Sequence, residues 1–122
     1  MAILFEQFYQ QSANACVVDL TAPTFAGITG LIINTDGSLT ASWADATDTS
    51  NPIRYEVYIQ ASTSVGLFNT SNITQIVTGL SARIFTTSDL NYLQTGFVYH
   101  VGVRAVDAVG NRNTNVISLS QT

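Results

Sequence analysis

Three aspartates offer the first chemistry to weigh. Asp45, Asp48 and Asp107 fall in stretches that read as loops, and converging carboxylates are what a calcium ion needs. The spacing Asp45-Ala46-Thr47-Asp48 lacks the alternating ligands and the glycine of a calcium loop, so the three read as Asx-type turns. A nucleophilic relay would need serine, histidine and aspartate together. His100, the single histidine, sits within an alternating strand pattern, and no Gly-x-Ser-x-Gly elbow is present. Asp45 and Asp48 do not make a glycosidase pair, which needs a cleft between its two carboxylates. One cysteine, Cys16, excludes an internal disulfide and a cysteine-based zinc site, and reads as a small apolar residue. The residues therefore predict no catalytic group, no cofactor and no metal.

Composition narrows the partners. The chain has 122 residues, with four Lys+Arg, all of them arginine, against eight acids, for a net charge of −4. Phosphate binding needs clustered basic residues, so nucleic acid is excluded, and attraction to anionic lipid with it. No apolar run approaches the ~18 residues of a membrane span. The first residues lack a basic region, and Glu6, Gln7, Gln10 and Gln11 interrupt any apolar stretch, so they read poorly as an export signal. Residues that are 46% hydrophobic and 10% charged make a folded domain, not a disordered chain.

The elements that must position any site are strands. Leu39, Ala41 and Trp43 alternate with Ser38, Thr40 and Ser42, behind an Asp36-Gly37 turn signal. Tyr55, Val57 and Ile59 alternate with Arg54, Glu56, Tyr58 and Gln60. Tyr99, Val101, Val103 and Ala105 alternate with His100, Gly102 and Arg104. Each run presents one apolar face, the pattern of a half-buried antiparallel strand. Weaker strands are expected over residues 25–33, 73–77, 83–87 and 116–120. Seven short strands between turns predict an all-β, seven-stranded Greek-key β-sandwich. The composition shifts at Asp19-Leu20-Thr21-Ala22-Pro23, which divides an N-terminal arm, residues 1–19, from the sandwich, residues 20–122.

These residues resemble a fibronectin type III domain, an immunoglobulin-like sandwich. Trp43 and Tyr55 stand at the family's core tryptophan and tyrosine. Leu93 to Tyr99, with Thr95 and Gly96 between, is similar to its leucine–turn–tyrosine corner, although Gln94 replaces the usual proline. Residues 99–111 and 21–28 are similar to bacterial and phage versions of the domain. The resemblance implies Trp43, Tyr55, Leu93 and Tyr99 as structural core.

The arm's apolar cluster, Ile3, Leu4, Phe5, Phe8 and Tyr9, is expected to dock on a partner, since exposed clusters of this kind mark interfaces. Tyr58, His100 and Arg104 are expected to point outward. Gly110 and Asn111 are expected at positive φ in a hairpin loop. Outer-face or loop contacts are assigned to Tyr58, Arg104, Asn111 and Arg112. The resemblance implies a bacteriophage virion accessory protein, not an enzyme. It would be present in many copies, anchored to capsid, tail or neck subunits, and in weak contact with host-surface glycans. The alternatives are a bacterial surface or secreted adhesion module that binds carbohydrate, and an accessory domain of a larger enzyme, against which the initiating Met1 counts.

Overall fold

The computed structural model describes residues 19–84, 93 and 97–121. The chain forms β1 (Ile28–Ile33), β2 (Leu39–Trp43), β3 (Arg54–Ala61), a 3-10 turn (Thr70–Asn72), β4 (Ile73–Val77), β5 (Ser81–Ile84), β6 (Tyr99–Val106) and β7 (Ser118–Gln121). They build two antiparallel sheets, a three-stranded one in the order β1-β2-β5 and a four-stranded one in the order β4-β3-β6-β7. The arm residues Ile3, Leu4, Phe5, Phe8, Tyr9 and Cys16 lie outside the described residues.

One core lies between the sheets. Leu39, Ala41 and Trp43 of β2 meet Tyr55, Val57 and Ile59 of β3 and Tyr99, Val101, Val103 and Ala105 of β6. These are the residues whose alternation marks the apolar faces. Tyr55 stacks between Phe25 at 5.4 Å and Trp43 at 5.5 Å. Its hydroxyl donates to Asp45 Oδ1 at 3.0 Å and accepts from the Ala46 amide at 2.9 Å, which satisfies the phenol inside the core. Burial, with the Asp45 carboxylate beside it, pushes the Tyr55 phenol above its ordinary range. Leu93 packs against the same core.

Two glutamines tie the sheets together at their edges. Gln121 on β7 donates to the Leu31 carbonyl on β1 at 2.8 Å. Gln75 on β4 donates to the Arg83 carbonyl on β5. An edge carbonyl with such a partner is one group fewer for a foreign strand to pair with.

Strand ends differ from the pattern for local reasons. The strand expected from residue 25 starts at Ile28, because Gly27 takes φ +88° and breaks the extended run after an isolated Thr24–Thr47 bridge. The strand expected at residue 116 starts at Ser118. Before it, Asn115 donates to the Val103 carbonyl and accepts from the Ile117 amide, so a side chain stands in for the ladder. The strand expected over residues 83–87 runs Ser81–Ile84, with residues 85–87 outside the description. In the loop after β6, Gly110 takes φ +99°, but Asn111 is not at positive φ. There Asp107 Oδ1 accepts from the amides of Val109 and Asn111 and fixes the turn without it.

Candidate functional site

The polar residues of β3 face away from the core, as their alternation predicts, but the middle two do not face solvent. Glu56 is 4% exposed and Tyr58 1%. A folded segment after β3, residues 62–72, crosses this outer face. Ser62 and Gly66 turn it with φ of +78° and +77°. Short-range bonds hold it closed. The Leu67 amide donates to the Ser64 carbonyl at 3.1 Å, and the Asn72 side chain donates to the carbonyls of Gly66 and Leu67. Asn69 caps the 3-10 turn by accepting from the Ser71 amide.

This segment plants Leu67 and Phe68 on β6 where that strand has no side chain. A Cβ at Gly102 would lie 2.4 Å from Phe68 Cζ and 3.2 Å from Leu67 Cδ2, so only glycine admits the ring. Phe68 meets Tyr58 edge-on, with centroids 5.1 Å apart. The Arg104 guanidinium lies over the Phe68 ring at 4.0 Å, and its Nε donates to the Asn115 carbonyl at 2.9 Å.

Beneath them lies an ion pair. Arg112 Nε and Nη2 reach Glu56 Oε1 and Oε2 at 2.6 and 2.8 Å, and the Tyr58 hydroxyl donates to Oε1 at 2.6 Å. This fork geometry fixes the loop after β6 to the middle of β3. Hydrogen bonds from Arg112 outweigh burial and hold the Glu56 carboxyl below the usual carboxylate range. Glu56 in turn raises Arg112. Burial, then Glu56, pushes the Tyr58 phenol up to about 12. Burial lowers Arg104.

The expected contact residues are therefore redistributed. Tyr58, assigned to an exposed face, is buried under Phe68 and bonded to Glu56, because the 62–72 segment covers its strand. Arg112 is spent on Glu56. Asn111 bonds inward, to Asp107 Oδ2 at 2.9 Å and to the Asp19 carbonyl at 2.6 Å. Arg104 is half-buried but keeps an open side. It lines a groove of about 610 Å³ with Ser64, Val65, Phe68, Val116 and Ser118. Val65 and Val116 stand 79% and 77% exposed on that groove. The sequence reading missed Glu56, Leu67, Phe68 and Gly102. Their signal is a bulky Leu67-Phe68 pair set among turn residues, and a glycine inside a strand.

A second cluster lies at one end of the sheets. Asp19, Asp48 and Asp107 bring carboxylate oxygens within 4.8 Å of one another. Asp45, grouped with the latter two from sequence, instead accepts from Tyr55. Hydrogen bonds from Ser50 and Thr21 hold Asp19 far below its ordinary range. The Ser50 amide lowers Asp48, but lost hydration and the neighbouring Asp19 and Asp107 outweigh it and raise that carboxyl. The hydrogen bonds to these carboxylates come from nearby loop groups, including Ser50, Thr21, Val109 and Asn111. The cluster joins the segment before β1 to two loops.

No family model matches the chain. Over 97 residues, 80% of its length, it is 36% identical to Chitinase D of Niallia circulans, and it spans 15% of that protein. Its fold is similar to part of the spore cortex lytic enzyme SleM of Clostridium perfringens, with a TM-score of 0.52 and 16% identity over 84% of this chain and 28% of that one. The chain is thus similar to a segment of each of two longer proteins, one named a chitinase and the other a spore cortex lytic enzyme.

Proposed function

We propose that the chain is a fibronectin type III-like, non-catalytic module that attaches a bacterial surface or secreted protein to polysaccharide. The observation that carries this is the 36% identity to a segment amounting to 15% of Chitinase D. A stretch that small is the size of an accessory domain, and one fold hosts many roles. The order of the strands supports the Greek-key reading. The chain leaves the three-stranded sheet after β2, builds β3 and β4 in the other, returns for β5, and crosses again to β6 and β7. The comparisons favour this carbohydrate role over the virion role that the resemblance to phage domains implies. In this reading the apolar arm, Ile3 to Tyr9, serves as a junction to a neighbouring segment or subunit.

Sedimentation with insoluble polysaccharides tests it. The purified chain is expected to leave the supernatant saturably with chitin and to stay in solution with an equal mass of cellulose. A chain that remains in the supernatant with chitin and with peptidoglycan sacculi alike overturns the proposal.

A further inference from the structure

We infer that the groove between the 62–72 segment and β6–β7 is the saccharide site, and that Arg104 is its anchoring donor for the acetamido carbonyl of an N-acetylhexosamine unit. The inference rests on the carbohydrate reading above and gives it a location and a ligand chemistry. Four observations carry it. The groove, at about 610 Å³, falls within the size range of ligand clefts. Its lining contains no carboxylate, in a chain with eight acids, so Arg104 is the charged group that faces the groove. Among the described residues only the Nε of that guanidinium has a hydrogen-bond partner, which leaves both Nη atoms for a ligand oxygen. Phe68 and Asn115 hold the group on two sides, so little side-chain freedom is left to lose on binding.

The rest of the lining suits an acetylated sugar. Val65 and Val116 are exposed apolar side chains facing the same space and offer contact to a pyranose face and an acetyl methyl. Ser64, Asn69 and Ser118 supply hydroxyl and amide groups for ring hydroxyls. Gly102 acts at one remove: it lets Phe68 sit low enough to hold Arg104, and is a positioning residue.

The test is a titration of the isotopically labelled full chain with triacetylchitotriose, followed by amide chemical shifts, with chitin sedimentation run in parallel. Shifts are expected at Val65–Asn69, Arg104, Val116 and Ser118. Arg104→Gln is expected to weaken binding about tenfold, the loss of one charge-assisted hydrogen bond. Val65→Asp, at an exposed position that leaves the fold intact, is expected to weaken it as well. Shifts confined to another surface, such as Thr21–Thr24 and Thr47–Thr49, with sedimentation retained, would overturn the groove and leave the carbohydrate reading standing. Groove shifts with oligogalacturonate but not with triacetylchitotriose would overturn the acetamido assignment. Loss of sedimentation together with all shifts would overturn both.

Discussion

The outer faces of the two sheets are built on opposite plans. On the three-stranded sheet the outer face stays open: β2 and β5 bury every second residue, Leu39, Ala41 and Trp43 in one and Ala82 and Ile84 in the other, and in β1 a bulge after Ile28 shifts the alternation, so that Leu31 is buried while Thr29, Ile32 and Ile33 are exposed. On the four-stranded sheet β3 is buried from Tyr55 to Ile59 without a break. The same period of two underlies both. The difference is a covering layer: the 62–72 segment and the loop after β6 make a second interior of Tyr58, Leu67 and Phe68 around a bonded Glu56–Arg112 pair. A sheet face covered by its own loops exchanges exposure for shape, and the groove at its rim is the outcome.

The largest effect should come from Glu56→Ala. It leaves the Tyr58 hydroxyl and the Arg112 guanidinium without their acceptor. Breaking a buried pair costs ~3–5 kcal/mol, but Arg112 is 39% exposed and recovers some hydration. About 2–3 kcal/mol is therefore expected in urea unfolding. The matching change on the bare sheet, Thr29→Ala, removes an exposed 3.3 Å hydrogen bond to the Ser42 carbonyl and should move the urea midpoint little. Equal losses at the two sites would erase the contrast.

Two glycines give the next comparison. Gly102→Ala forces a Cβ to 2.4 Å from an aromatic carbon, an overpacking cost of about 1–3 kcal/mol. Gly30→Ala meets only the Ser42 hydroxyl at 2.5 Å, which rotates away. The gain of ~0.5–1 kcal/mol from replacing a strand glycine then offsets much of its cost. Differential calorimetry should find Gly102→Ala well below Gly30→Ala in melting temperature.

The pH dependence sharpens the role of the ion pair. The Glu56 carboxyl is lowered in the folded protein, so its contribution is present above the unfolded value of about 4.3 and is lost as pH falls through the folded one. The stability gap between wild type and Glu56→Gln should therefore be full at neutral pH and close below about pH 4. Asp19 and Asp36, also lowered, add acid sensitivity to both proteins and cancel in the difference. At the alkaline end the Tyr58 phenol, raised to about 12, favours the folded state below its unfolded value of ~10, an advantage lost as pH rises through 12. Phenolate absorbance should lose one late-titrating tyrosine in Tyr58→Phe, while the raised Tyr55 remains. The smallest effect is Ile32→Thr, on the bare face, within about 0.5 kcal/mol of wild type.

The core was legible because period two is a local signal: Leu39, Trp43, Tyr55, Val57 and Val103 read from their own neighbours. The direction of Tyr58 was legible for the same reason, and its burial was not. Burial there depends on Phe68, ten residues on in the chain, folding back over Tyr58 and onto Gly102, contacts that no window of alternation records. Glu56 reads as solvent-facing until Arg112, 56 residues away, is brought to it. The acidic cluster was misgrouped because Asp19 precedes the first strand and reaches Ser50 only in the folded chain.

The most direct test of the functional account compares one substitution on each outer face. Binding isotherms on insoluble chitin would be measured for the full chain, for Arg104→Gln on the covered face, and for Ile32→Asp on the bare one. The account predicts that Ile32→Asp matches wild type while Arg104→Gln loses about a tenfold in affinity. An unchanged Arg104→Gln isotherm, with binding lost in Ile32→Asp, would contradict it.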